Sequence, residues 1–269
     1  MKNKNIVGLI FCIGLFCFGF FINGNLSLYF NLSGILIVFG GTFGAALLSF
    51  KTEQLSIVLK VLRSAYGKSI KKETEIIRIL IDLSIKSRME GILSLQEEEN
   101  ETSILFLRRA LGCLVDGYAP EQTREILNTE IYFFKMRRED SERILRTIAD
   151  FAPAFGITGS VVGLISMLGG IGDTSVILQA IPIALTSTLY GIVLANFFLL
   201  PFAAFLRERT NQELLLQKIV MEGVIAIESE VNPVILRTKL ESFLTPSERK
   251  ESLVSYAKIK ERFNITHED

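Results

Sequence analysis

Two hydroxyl residues, Ser160 and Thr188, lie in two of the chain's apolar runs, each on a stripe of small residues at helical spacing. The stripes are Gly156, Ser160, Gly163 on the first run and Ala184, Thr188, Gly191, Ala195 on the second. Hydroxyls at such places can orient water or coordinate a cation, so one reading is that the stripes line an ion path. The other is plain packing, because small-xxx-small faces let helices approach closely in lipid. Pro153 and Pro201 lie near the ends of the same two runs. Each removes a backbone donor and leaves a carbonyl unpaired, which suits either a moving helix or a simple kink. Both prolines are expected near the same end of antiparallel helices, at similar depth. A transporter normally places an acid, Lys or His inside the membrane for ion binding. These runs hold none, so an ion path here would take its acidic group from another chain.

Other chemistry is excluded more simply. The single histidine, His267, is three residues from the end, which removes His-based triads, imidazole metal sites and His proton relays. Cys12, Cys17 and Cys113 form no CxxC pair, so neither a zinc knuckle nor a disulfide framework is indicated, and no metal or cofactor site is expected. Gly170-Ile171-Gly172-Asp173 matches the GxGD string of intramembrane aspartyl proteases. That chemistry needs two facing aspartates within the bilayer, whereas Asp150 and Asp173 flank opposite ends of one run. The chain is therefore not expected to be an enzyme. Basic and acidic residues balance at 29 each, which argues against a nucleic-acid partner.

These residues need long membrane helices to position them. Residues 5 to 50 are uncharged, and residues 151 to 206 carry only Asp173. Four apolar runs follow from this, Ile6 to Ile22, Leu28 to Phe50, Phe151 to Ile171 and Ile177 to Leu206, each near the length that crosses a hydrocarbon core. The first is longer than a signal-peptide core and is not followed by a cleavage site, so it is read as retained. Every Lys and Arg lies before the first run, between the second and third, or after the fourth, which places both termini and the large insert in the cytoplasm. The turns near residues 23 to 31 and near Asp173 then face outside.

The fold class expected is all-α, a polytopic membrane protein with four transmembrane helices and a helical cytoplasmic domain between the second and third. Residues 1–50 hold spans one and two, 51–150 the cytoplasmic domain, 151–206 spans three and four, and 207–269 a cytoplasmic helix and a polar tail. Within the insert, Leu55, Val58, Leu59 and Leu62 fall at i, i+3, i+4 and i+7, and Ile76, Ile77, Leu80 and Leu83 repeat the pattern. Glu97 to Glu101 interrupts it as an acidic loop. Pro120 marks the first turn of a helix that meets no Gly or Pro before Pro153 and is expected to continue into the third span.

The strings GGTFGA (40–45), APAFGITGSVVGLISML (152–168), TSTLYGIVLAN (186–196) with Pro201, and VMEGVIAIESEVNP (220–233) resemble the MotA/PomA flagellar stator subunits over nearly the whole chain. The more distant TolQ and ExbB proteins share the last two spans but usually have three in all. The resemblance implies a stator subunit that couples ion flow across the bacterial cytoplasmic membrane to rotor torque. Its partners would be a MotB-like single-span, peptidoglycan-binding protein carrying the transmembrane Asp, the rotor protein FliG, and further copies of itself in a homopentamer. By the same mapping Pro153 and Pro201 match the family prolines at the ion path, together with Ser160 and Thr188. Arg88 matches the basic residue that engages FliG. The acidic contact eight residues later falls on Gln96, so it is expected there or shifted onto Glu97, Glu98 or Glu99. Sodium-driven members tend to carry Thr at the position of Ser160 and proton-driven ones Ala, while Thr188 matches a Thr common to both. No cofactor is implied; the ion expected is the proton, with sodium the alternative. The rival readings are a TolQ/ExbB-type proton-channel energiser of an envelope system and a non-conducting membrane scaffold.

Overall fold

A computed structural model of the 269-residue chain describes residues 11, 14–16, 18, 19, 22, 29–67, 71–102, 104–170, 174–246 and 249. Most of the first apolar run, most of the turn that follows it, Asp173 with its GxGD turn, and the tail with His267 lie outside the described residues. Every element described is helical. In chain order these are α1 (Leu32–Ser49), α2 (Thr52–Gly67), α3 (Glu73–Glu90), a 3-10 turn (Ile92–Leu95), α4 (Gln96–Glu101), α5 (Leu105–Val115) and α6 (Pro120–Gly169). They are followed by α7 (Thr174–Val193), a π-helical segment (Leu194–Leu199), α8 (Leu200–Glu228) and α9 (Pro233–Glu241). Among the described residues, three stretches are long and apolar enough to cross a membrane: Leu32–Ser49, Pro120–Gly169 and Thr174–Glu228.

The chain divides into two compact units, one of Met1–Val61 with Ser141–Phe205 and one of Leu62–Asp140 with Leu206–Asp269. The division passes through α2, α6 and α8. In the first unit α1 packs on α7, starting at Asn31, whose side chain caps the helix by accepting from Gly34 N at 3.0 Å. The buried stripe of α1 is Gly34, Val38, Thr42 and Ala46, one residue per turn. Leu36, Leu48, Leu168 and Leu185 stand exposed on the outside of this unit, as side chains facing lipid would.

The second unit is built around a different interior. Ile76, Ile77, Leu80 and Leu83 of α3 are all buried, as their spacing requires. They join Leu107 and Leu111 of α5, Leu127 of α6, Ile219 and Val224 of α8, and Leu236 and Leu240 of α9 in one cluster. The part of α2 that belongs to the first unit is covered less fully than its periodicity suggests: Val58 is buried, but Leu59 is exposed.

Three local features differ from expectation or refine it. The acidic stretch is helical rather than a loop, because the fully buried Leu95 anchors its start and Glu97, Glu98 and Glu99 occupy the first turn, where the helix dipole favours negative charge. The helix α6 does begin at Pro120 and runs unbroken for 50 residues through Pro153. The fourth apolar run is not one regular helix. Its π-helical segment widens the turn just before Pro201, and Leu200 N bonds Ala195 O, five residues back. Proline has no N–H and clashes with the carbonyl four residues earlier, so the wider turn accommodates it.

Candidate functional site

In the first unit α6 and α7 approach at backbone distance. A Cβ on Gly163 would stand 2.6 Å from Ala184 N, and one on Gly191 would stand 2.5 Å from Ala152 O. Glycine is therefore required for this approach, and the two stripes of small residues are the faces that meet. The phenyl ring of Phe155 lies over Gly41 of α1, and Ser187 Oγ reaches the Gly34 position of the same helix.

That approach brings Ser160 and Thr188 together. Ser160 Oγ lies 2.5 Å from Thr188 Oγ1, bonds Ala184 O, and stands 3.3 Å from Gly156 O. Ser160 has one proton to give, so a consistent arrangement has Thr188 donating to Ser160 and Ser160 donating to Ala184 O. Two hydroxyls and two carbonyls thus converge on one point in an uncharged region. Such hydroxyls can orient a water, and the same oxygens, spread apart, are the ligand type that replaces a cation's water. The neighbouring Thr186 and Ser187 instead donate to Pro182 O and Ile183 O of their own helix, at 2.6 Å each. Their hydroxyls are thereby taken up locally.

The prolines are placed unequally. Pro153 is two turns before Ser160 on α6, about 10 Å along the axis. Pro201 lies ten residues past Gly191, the residue level with Ala152, and so sits roughly 15 Å further along than Pro153. The expectation of similar depth is corrected: the close contact of Gly191 with Ala152 fixes the register, and it does not pair the two prolines. Sequence reasoning also missed Thr42, fully buried on α1 with its hydroxyl unpartnered, and the role of Tyr190. The Tyr190 hydroxyl accepts from Asn31 N at 2.8 Å and donates to Tyr29 O, so the tyrosine of the TLYG string pins the start of α1.

The second unit carries Arg88 and the acidic residues. Arg88 is exposed at the end of α3, where Gly91 closes the helix with φ 86. Its Nη2 donates to Glu230 O at 2.8 Å. A cleft of about 660 Å³ lies there, lined by Arg88, Ile92, Leu93, Ile227, Glu230 and Val231 among others. Gln96 and Glu97 are exposed. Glu98 is bound to Lys86 at 3.1 Å, and that hydrogen bond, ahead of the surrounding carboxylates, raises the Lys86 pKa. Glu97 stands 3.9 Å from the same lysine but keeps most of its surface in solvent. The Glu99 carboxylate turns toward Gly112 of α5. Glu97 is thus the most available acid of the stretch, and Lys86 is the partner that sequence reasoning missed.

The turn holding Arg88 is a helix C-cap. Val231 N bonds Ala226 O and Glu230 N bonds Ile227 O, both at 3.0 Å, with Glu230 in the left-handed region at φ 51. This is the Schellman arrangement, with glutamate where glycine is usual and Pro233 opening the next helix. Among the described residues no group of three His, Cys, Asp or Glu is placed to hold a metal.

Residues 97–218 match the model of the MotA/TolQ/ExbB proton channel family. Motility protein A of Borreliella burgdorferi is 33% identical over 84% of this chain and 87% of its own length. Chemotaxis protein PomA of Vibrio alginolyticus is 30% identical over 93% of this chain and 98% of its own. The structure of C. jejuni MotAB superposes with a TM-score of 0.83 at 26% identity, covering 91% of this chain and 97% of that one. The flagellar MotAB stator complex of Bacillus subtilis gives 0.84 at 27% identity with the same coverage. With apolar helices meeting through glycine, a convergent hydroxyl pair and these relatives along nearly its full length, the chain belongs to the MotA/TolQ/ExbB proton channel family, among the motility protein A and PomA members.

Proposed function

We infer that this chain is a flagellar motor stator subunit, which with a MotB-like partner couples ion flow across the cytoplasmic membrane to rotor torque. The observation that carries the reading is the Ser160–Thr188 pair, two hydroxyls joined at 2.5 Å in spans without a mid-membrane acid. Such a site passes an ion only if a carboxylate is brought by another chain, and the similar MotAB complexes contain a second protein. In this reading the first apolar run is a fourth transmembrane helix, both termini and residues 51–150 are cytoplasmic, and residues 151–206 line the ion path. Five copies surround the partner, and Pro153 and Pro201 give the path its moving parts. Arg88, with Glu97 and the Gln96–Glu98 stretch, meets FliG. The ion is the proton, which needs only the partner's carboxylate and a chain of waters that the hydroxyls can orient. Sodium would require the oxygens around Ser160 to open into a cage.

Deletion of the gene tests the function: the expected strain keeps intact flagella and does not swim, whereas normal swimming with a weakened envelope would reject the stator reading. Restoring the gene as Arg88→Glu is expected to leave membrane abundance unchanged and to cut swimming severely. Swimming speed against external sodium at fixed pH decides the ion, since a speed that vanishes without sodium would overturn the proton assignment.

A further inference from the structure

The last residue of α8 is Glu228, and both of its carboxylate oxygens are out of solvent with no hydrogen-bond partner. Most of its surroundings disfavour a charge. It ends a helix, where the dipole is negative. From α6, Glu121 faces it with like charge, and the buried Thr123 hydroxyl lies beside it outside hydrogen-bond geometry. From α5, the buried thiol of Cys113 faces it, with Asp116 close behind. Arg124, beside Thr123 in sequence, is bound to Glu222 at 2.7 Å, and Arg109, which faces Cys113, to Glu130 at 3.0 Å. Burial above all, then Glu121, lifts its pKa above the ordinary 4.5, with Thr123 opposing. A buried carboxylate without a partner is normally avoided, or held as the neutral acid.

The position matters because Glu228 leads directly into the turn that Arg88 grips. Two residues on, Glu230 takes its left-handed conformation and offers its carbonyl to the guanidinium. We propose that Glu228 is a positioning residue, packed as the neutral acid, that holds the turn from Ser229 to Asn232 in the shape that presents Glu230 O to Arg88. Its ionisation draws the end of α8 toward water, loosens the turn and frees Arg88. The consequence for torque rests on the rotor reading of Arg88; the latch itself does not.

The sign follows from linkage. The closed turn binds the proton more tightly than the open one, so it is favoured at low pH. It loses up to about tenfold in stability per pH unit as pH rises from the ordinary carboxyl value to the raised one, then levels off. The test is hydrogen exchange of the amides from 229 to 232 in the full-length protein purified in detergent, corrected for the intrinsic chemical rate at each pH. The wild type is expected to lose protection with that slope, and Glu228→Gln, which cannot ionise, to stay flat. Glu228→Asp should restore a slope, which a merely structural role would not. Should Glu228→Gln fail to fold, Glu121→Gln removes the facing charge without touching the latch, and should make the loss of protection smaller and bring its levelling-off to lower pH. Identical pH profiles in the wild type and Glu228→Gln, or no movement in Glu121→Gln, would overturn the proposal. Because this exchange needs no rotor, such a failure is separate from any failure of the stator reading, which swimming of the Arg88→Glu strain reports.

Discussion

Around Ser160 two helices meet backbone to backbone, with no space for a Cβ at Gly163 or Gly191, and the polar groups between them are hydroxyls and carbonyls. Around Leu80 and Leu111 helices are held apart by large side chains that are fully buried, and the rim is tied by ion pairs such as Arg138–Glu213 at 2.9 Å and Lys239–Glu222 at 2.6 Å. Each arrangement suits the solvent that the stator reading assigns to it. Lipid gives apolar side chains nothing to gain by meeting each other, so close backbone contact and hydrogen bonds must hold the helices. Water rewards burial of leucine and isoleucine at about 25 cal/mol per Å², and the ion pairs at the rim keep only part of their surface in solvent. The molecule therefore uses two grammars of packing, and the ion-path candidates fall in one while the rotor candidates fall in the other.

The largest effect should come from breaking the leucine interior. Leu80 is fully buried against Gly223 of α8, and Leu80→Ala should cost about 2–5 kcal/mol, as truncation in a close-packed core does. Exchange of amides in α3 and α8 measures it, and amides around Ser160 should change far less if the two interiors are separate. A methyl group does the corresponding damage in the other unit. Gly163→Ala should cost about 1–3 kcal/mol, because the Cβ meets backbone rather than a side chain able to turn away. The same substitution at the open Gly44, where nothing lies within 4 Å, should be silent in thermal unfolding of the purified protein.

The smallest effect sharpens the comparison through charge. Burial pushes the Glu222 carboxyl up, but hydrogen bonds from Lys239 and Arg124 outweigh it and leave its pKa below 4.5. A lowered folded value means the contribution is present above pH 4.5 and lost as pH falls through the lowered pKa. Glu222→Gln should therefore destabilise the second unit by roughly 1 kcal/mol at neutral pH. The gap to the wild type should close on acidification, as read from denaturation at several pH values. Glu228, six residues along the same helix, has the opposite sign, so Glu228→Gln should diverge from the wild type as pH rises.

Hydropathy and spacing alone determined the helical class, the start of α6 at Pro120, its passage through Pro153, the α3 core face and the small stripes on α6 and α7. These are properties of consecutive residues, and a helix of fixed pitch turns spacing directly into faces. The resemblance of the strings carried the family, because those strings run through nearly the whole chain. Only the tertiary structure decided which faces meet and at what level. It joined Ser160 to Thr188 and Ala184, displaced Pro201 from Pro153, bound Glu98 to Lys86, and set Arg88 on a carbonyl 142 residues away. It also separated Glu222 from Glu228, two acids that look alike in the string VMEGVIAIESEVNP. The physical reason is that a side chain's partner and its solvent depend on helices that cross from distant parts of the chain, and one-dimensional periodicity fixes the face a residue occupies without fixing what lies opposite.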